Sequence, residues 1–566
     1  YEVSANYGRT DVRASISNMR REDRYFAAID AVVDPATGQP TCRSNLDPGA
    51  VPPNDDVVSS WKPTAWGVPA NMTFTPGANS GCVPFNPFID GTPGYFASGN
   101  LPDSAPNAAA IDFITGNGVP LVNRGKITQT VMNGFVAGNT GGLGLELPAG
   151  PVDFVFGGEY REEKIVNDIN DISSNINALT QLNFELDSKS SYDVSELFTE
   201  VSVPVFDDLG PLLQALRLDG AYRFSDYSTI GQTSAFSVGL NWTLNDNFIV
   251  RGSHGQSVRS PNLEELFSPD NEASFRPDDV CEQTNLGIQT PTTVANCAAV
   301  LSALGVDPAT FINAYPVGRP GVIGGNPDLM EETADTDTIG LVFTPTFLPD
   351  FVATLDYWKI SLDQGILYPS DDEIVEQCYS AATLDNPFCS LFTRVSQGIE
   401  GVVGVVDALE QRPVNVSQIQ TSGYDFSLSY RTELGFDAGS LSLSFAGTKL
   451  EELLTQPTVA PRLVDEVGQV STLLGGQAPE WVFNLDAVWE RGPISLAYGA
   501  HYQSGLDRYT AEEIQRSPDI SELLGTKNLF VHDIQADYRF SDSVKSFCSK
   551  QPCERDCQAC TASGSA

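Results

Sequence analysis

Histidine is nearly missing from this chain, with three among 566 residues, and methionine occurs four times. Metal or acid–base chemistry that leans on imidazole therefore has little material. Basic residues are scarce too: 32 lysines and arginines face 73 aspartates and glutamates, a net charge of −41. A nucleic-acid binder displaces counterions from phosphates with basic surface, so that class is excluded. The carboxylate excess fits solubility or a salty medium and, in a sharper version, a surface that handles cations or metal chelates. Nowhere do about 18 apolar residues run together, so no membrane-spanning helix is expected. The chain has no P-loop, no G-x-G-x-x-G after a strand, no H-E-x-x-H and no G-x-S-x-G. Asp168, Asn170 and Asp171 have a loosely calcium-like spacing but lack the glycine and terminal glutamate of an EF-hand. Paired acids such as Asp371-Asp372 and Glu162-Glu163 follow from the acidic composition. No catalytic, cofactor or metal-binding residue is assigned, and no enzyme is expected.

What the chain has is alternation. Glycine (49) and proline (37) punctuate runs of eight to ten residues in which apolar and polar side chains take turns. Leu216, Leu218, Tyr222 and Phe224 oppose Arg217, Asp219, Arg223 and Ser225; Phe236, Val238, Leu240, Trp242 and Leu244 oppose Ser237, Gly239, Asn241 and Thr243. Trp481, Phe483, Leu485, Ala487 and Trp489 make another greasy row. Strand side chains point to opposite faces with period two, so each run has one apolar and one polar face. About 14 such runs occur, near 1–14, 126–138, 151–163, 192–205, 213–226, 233–244, 248–258, 333–345, 351–362, 415–432, 439–450, 479–490, 494–504 and 530–540.

Two architectures suit this pattern: a sandwich with the greasy rows inside, or a transmembrane barrel with those rows on lipid and the polar rows around a lumen. Full charges such as Arg251, Asp425, Arg431, Asp533, Asp537 and Arg539 on the polar rows suit a wet lumen or a solvent face. Connection length discriminates better. Tight links at Asn245–Asn247, Thr346–Asp350, Phe436–Gly439 and Arg491–Pro493 alternate with long ones near 15–125, 259–332, 363–413, 451–478 and 505–529. In an up-and-down barrel every second connection lies on one side, which gives one rim of turns and one of loops. The fold expected is all-β: an antiparallel transmembrane β-barrel, partial, with long extracellular loops and short periplasmic turns. His254, His501 and His532 then read as lumen or rim residues, and Trp242, Trp481, Trp489, Tyr498 and Tyr502 suit interfacial girdles.

Cysteines follow the same map. Cys42 and Cys82 fall in the first long loop, Cys281 and Cys297 in the second, Cys378 and Cys389 in the third. Disulfide staples within each loop, formed in an oxidising compartment, are the expectation. The last residues break the pattern: Cys548, Cys553, Cys557 and Cys560 crowd a stretch without histidines or paired C-x-x-C units. A zinc or cluster ligand set is one reading; a reading-frame slip over a lost strand is preferred. The domain expectation is an incomplete barrel at 1–545 and an aberrant cysteine-rich tail at 546–566. The chain opens at Tyr1 inside a strand, as a fragment would.

Several segments carry a resemblance. Arg259, Pro261, Asn262, Glu265, Leu266 and Phe267 in "SVRSPNLEELFSP" resemble the R-A-P-N-x-x-E-L-F element of TonB-dependent outer-membrane receptors. Asn326, Pro327, Leu329 and Glu332 resemble the N-P-x-L-x-P-E segment of the same family, with Glu331 where proline is usual. Cys42, Cys82, Pro84, Asn86, Pro87 and Phe88 look like a loop of one branch. The resemblance covers roughly 1–545. It implies about 14 of the 22 barrel strands, with the N-terminal plug and its TonB box not represented. It further implies location in the outer membrane of a Gram-negative bacterium, among lipid and lipopolysaccharide. Its function would be TonB-driven uptake of a scarce ligand: an iron–siderophore or other metal chelate, cobalamin, a saccharide or a peptide. Arg217, Asp219, Arg223 and Arg251 would be lumen residues that contact the plug. A passive porin-like channel and a secreted β-rich binding or adhesion protein are the alternatives. On the barrel reading the strand at 248–258 climbs from a tight periplasmic turn, and Pro261 ends it because it has no N–H for a ladder. Asn262 caps a short helix, with Glu264 and Glu265 in its first turn.

Overall fold

The computed structural model describes residues 1–50, 73–87, 107–170, 187–287, 289–313, 319–397, 403–456, 464–470, 476–508, 525–541, 544–550 and 561–564. Alternation becomes fifteen strands of seven residues or more. They are β1 (Glu2–Ile16), β2 (Leu121–Asn139), β3 (Asp153–Asp168), β4 (Ser188–Asp207) and β5 (Ala215–Tyr227). Next come β6 (Gly231–Asn245), β7 (Phe248–Arg259), β8 (Glu332–Phe343), β9 (Phe351–Leu367) and β10 (Val414–Leu434). The series ends with β11 (Gly439–Gln456), β12 (Trp481–Arg491), β13 (Ile494–Gln503), β14 (Leu529–Ser541) and β15 (Val544–Lys550). All fourteen runs read from the sequence are strands.

Each strand pairs antiparallel with the next in the chain, from β1 on β2 to β14 on β15. Among the described residues the other sheets are a four-stranded one and two of two strands, too small to serve as the second half of a sandwich. Among the described residues, β1 and the short segment Thr561–Gly564 on β15 are the two ends of the meander. One rim carries the tight turns after β6, β8, β10, β12 and β14; the other carries the long excursions after β1, β3, β7, β9, β11 and β13. Two links depart from this: β5–β6 is joined on the long-loop side by only Ser228–Ile230, and β2–β3 on the tight-turn side by the longer segment Thr140–Val152. Gly492, at φ +55°, makes the two-residue turn from β12 to β13 possible.

Register separates the two faces cleanly. On the polar row, Arg251 bonds Asp356 through both guanidinium arms at 2.8 and 2.7 Å, Ser253 meets Thr338 at 2.6 Å, and Thr448 donates to Asp425 at 2.6 Å. Residues of this row line the grooves of the wall, one of about 690 Å³ across β2–β7 and one of about 330 Å³ across β9–β12, so the polar face is the concave one. On the other row, rings touch from strand to strand. Phe248 stacks on Phe343 at 4.8 Å, and the chain of contacts continues through Phe351 to Tyr430 near the tight-turn rim. A second chain nearer the loops runs Phe426–Phe445–Phe483–Tyr502–Phe530. The two chains follow one another round the wall, over β7–β10 and then β10–β14, and rings along an outward apolar face are what a lipid-facing wall presents.

Histidine placement differs from expectation. His501 is on the polar row, with Nδ1 2.8 Å from Asn484. His254 and His532 sit on the greasy row instead: His254 lies 5.6 Å from the Phe236 ring and 2.9 Å from Asp337, and His532 is 2.7 Å from the Tyr498 hydroxyl. A register of period two puts His254 beside Val238, and its polarity is met by Asp337 across the strand pair.

The packed cores are not in the wall. One gathers Phe275, Cys281, Cys297, Leu301, Ile374, Val375, Tyr379, Phe388, Val405 and Leu409, drawn from the two loops after β7 and β9. A smaller one, built on Ala28, Cys42, Cys82 and Phe113, belongs to the loop after β1.

Candidate functional site

At the top of β7 the polypeptide turns inward over the wall. Asn262 Oδ1 accepts from the Glu264 and Glu265 amides at 2.9 Å each, and Glu265 returns the bond by accepting from the Asn262 amide at 2.8 Å. This reciprocal cap starts the helix Leu263–Phe267. Leu263 and Leu266 are buried, and the helix packs on β4, three strands away from β7. Gly325 lets the segment before β8 lie against the end of this helix: a Cβ there would lie 2.7 Å from the Leu266 backbone.

Arg259, the last residue of β7, ties this turn to the next two strands. Its guanidinium pairs with Glu332 at the start of β8 and donates to both Glu265 oxygens at 3.1 and 3.0 Å. Glu332 also accepts from the Ile366 amide of β9 at 2.7 Å. Asn326 donates its backbone N–H to Glu265 O at 2.8 Å and its side-chain amide to Pro413 O at 2.9 Å, just before β10. Leu329 is buried, whereas Pro327 and Phe267 are exposed. The sequence motif thus forms one clamp at the loop-bearing rim.

Above the clamp, the loops after β7 and β9 fold as one body. The strand Arg319–Ile323 of the first pairs parallel with Val406–Gln411 of the second, inside a four-stranded sheet completed by Asn271–Phe275 and Phe392–Arg394. Ser370 caps the helix Asp371–Ser380 reciprocally with Glu373. The carboxylates of Asp371 and Asp372 accept from the Arg276 and Asp278 amides of the other loop at 2.9 and 2.5 Å. Cys281–Cys297 and Cys378–Cys389 each staple one loop, and Cys42–Cys82 staples the loop after β1.

At the centre of this body, Arg394 is 4% exposed and pairs with Asp279, 0% exposed, through bonds of 2.6 and 2.9 Å. Arg394 also donates to Gly404 O and the Tyr379 hydroxyl at 2.7 Å each, and lies against the rings of Tyr379, Phe392 and Phe311. Burial works against its charge, but the bonds and charge of Asp279 more than restore it, holding the guanidinium above its ordinary pKa. Burial likewise raises the Tyr379 phenol, with Arg394 opposing. Sequence reading missed this pair. One local signal was available: a lone arginine among the apolar residues of "SLFTRV".

On the lumen side, Arg223 donates to Glu196 at 2.9 Å and Ser225 to the same carboxylate at 2.6 Å. Ser202 lies between Asp219 and Arg217, at 2.5 and 3.2 Å. The structure therefore puts Arg217, Asp219, Arg223 and Arg251 on the concave wall, each satisfied by a cross-strand neighbour. Asn86 of the first loop exchanges bonds with Asn107 at 3.1 and 2.7 Å. Phe88, Asp171, Cys553, Cys557 and Cys560 lie outside the described residues. Among the described residues, no cluster of histidine, cysteine, aspartate or glutamate is arranged to hold a metal ion.

Comparison with known proteins adds three findings. The family described as TonB dependent receptor-like, beta-barrel, matches residues 60–549. No curated protein matches the chain. Among solved structures, the chain is similar to a mutant ferric enterobactin receptor (PfeA) of Pseudomonas aeruginosa at 15% identity, over 78% of this chain and 50% of that one, with a TM-score of 0.47. The siderophore receptor PirA of Acinetobacter baumannii is similar at 13% identity, over 77% and 52%, with a TM-score of 0.46. For the FrpB iron transporter of Neisseria meningitidis the values are 13%, 77% and 52%, with a TM-score of 0.42. The chain spans about half the length of these solved structures.

Proposed function

The chain belongs to the TonB-dependent receptor β-barrel family, and on that premise we propose that it forms wall and rim of an outer-membrane receptor for a scarce ligand. Surface loops and a plug capture the ligand; the TonB complex then pulls on the plug, and no bond in the ligand is made or broken. The observation that carries this reading is the division of one meander into a greasy face with aromatic rings along it and a polar concave face. Lipid and lipopolysaccharide would contact the first face. In the second, Arg217, Asp219, Arg223 and Arg251 would contact the plug.

The barrel portion is assigned to 1–545 and the cysteine-rich tail to 546–566, with β15 pairing across that boundary. The fused loops after β7 and β9 supply the outer part of the binding surface, held over the lumen by the Arg259–Glu265–Glu332 clamp. The cargo falls within metal chelates, cobalamin, saccharides or peptides.

The test uses the complete receptor in cells with and without TonB. Each of those four ligand types is offered as the sole source of its nutrient. The receptor should fractionate with outer membrane, and accumulation should require TonB. Equal accumulation without TonB would indicate a passive channel. Recovery in the aqueous phase without detergent would indicate a secreted protein.

A further inference from the structure

We infer that the fused loops select neutral or cationic cargo and turn away polyanionic chelates, an assignment that rests on the uptake reading above. Residues 260–331 and 368–413 contain eighteen carboxylates against four arginines, with no lysine or histidine. All four arginines are already engaged. Arg394 is inside the core on Asp279; Arg412 lies between Asp270 and Glu410, 2.9 Å from each; Arg319 pairs with Asp407; Arg276 is engaged as well. Recognition of a polyanion needs guanidinium or ammonium donors that are not already spent on carboxylates. Arg394, Arg412 and Arg319 are all spent in this way.

The acids, by contrast, outnumber their partners. Glu264, Asp278, Asp307, Asp328 and Asp385 are exposed. Partial desolvation, then the charges of Asp278 and Asp279, holds the Glu282 carboxyl above its usual range. Asp372 is raised by desolvation and by Asp371, Asp278 and Glu373, against the bond it accepts from the Asp278 amide. No single group of carboxylates is assigned as an ion site. The selective element is the field of a loop body in which carboxylates far outnumber arginines.

At physiological salt that field reaches about 8 Å. Three ferric chelates test the inference on the complete purified receptor: a trihydroxamate with a free amine (cationic), its N-acetylated form (neutral) and a tris-catecholate (trianionic). Tryptophan quenching reads their binding. The cationic chelate should bind about tenfold or more tighter than the trianionic one, with the neutral form between, and added salt should shrink the gap. Glu282→Lys with Asp307→Lys should narrow the gap without lowering receptor abundance in the membrane. Tighter binding of the tris-catecholate, or equal retention of all three, including retention of none, overturns the inference. The uptake reading fails separately: TonB-dependent accumulation of the tris-catecholate would leave uptake standing and remove only the charge selection.

Discussion

Arg394 shows why a single residue can hold two loops together. Its guanidinium belongs to the second loop and its counter-ion Asp279 to the first, both out of water. Removing one partner strands the other charge in a low-dielectric interior, which costs about 3–5 kcal/mol. Arg394→Met should therefore raise amide exchange across both loops while β1–β14 stay protected; exchange confined to the second loop would show that the pair does not join them. Tyr379 adds a pH dependence. Its phenol is raised in the folded state, so the folded protein holds that proton more tightly than the unfolded chain does. The resulting stabilisation is complete below about pH 10 and is lost as pH climbs through the folded value. Alkaline titration followed at the phenolate absorbance should show a late tyrosine that Tyr379→Phe removes. The substitution should also cost about 1.5–3 kcal/mol through the lost bond from Arg394. If the substitution instead removed a tyrosine titrating at the ordinary pKa of about 10, Tyr379 would lie in water.

Among the elements, the stapled loops and the strands have different sources of stability. The strands are held by ladders, and the fused loop body by one shared core plus disulfides closing separations of 16 and 11 residues. In the chain-entropy account each of those two bridges contributes about 3 kcal/mol. Reduction should thus open residues 260–331 and 368–413 while the sheet keeps its exchange protection, as mass spectrometry of exchanged peptides would show. Loss of protection in β7 to β10 at the same reductant concentration would mean that the loops and the wall unfold together. The strands were legible because a period of two is written locally: Phe236 to Leu244 alone defines a face. The Ser370–Glu373 cap was equally local, yet Asp371-Asp372 had been read as mere acidity. The union of the two loops was not legible, since Arg394 and Asp279 are 115 residues apart and no periodicity connects them. His254 was misplaced for a similar reason. Its face follows from counting along β7, but what makes that face tolerable is Asp337 across the pair.

For the whole molecule, the question is which face meets hydrocarbon, and two positions on adjacent strands decide it. Leu485 lies mid-strand on the greasy row, in register with Phe445 and Ala500. Ser444 is on the polar row, opposite Asp486. An arginine at Leu485 would enter lipid without a partner, at about 2–4 kcal/mol near the bilayer midplane. At Ser444 the same arginine would enter the concave side, where Asp486 is placed to accept its bonds. In the complete receptor, Leu485→Arg should lower assembly into outer membrane or detergent-free vesicles, read as loss of the protease-resistant, heat-modifiable form. Ser444→Arg should assemble like the parent. If the two penalties were exchanged, the polar row would be the one on lipid; if neither substitution mattered, the wall would not be embedded at all. The comparison holds side chain and height nearly constant on adjacent strands and changes the face, so its outcome bears directly on the division of the meander from which uptake was inferred.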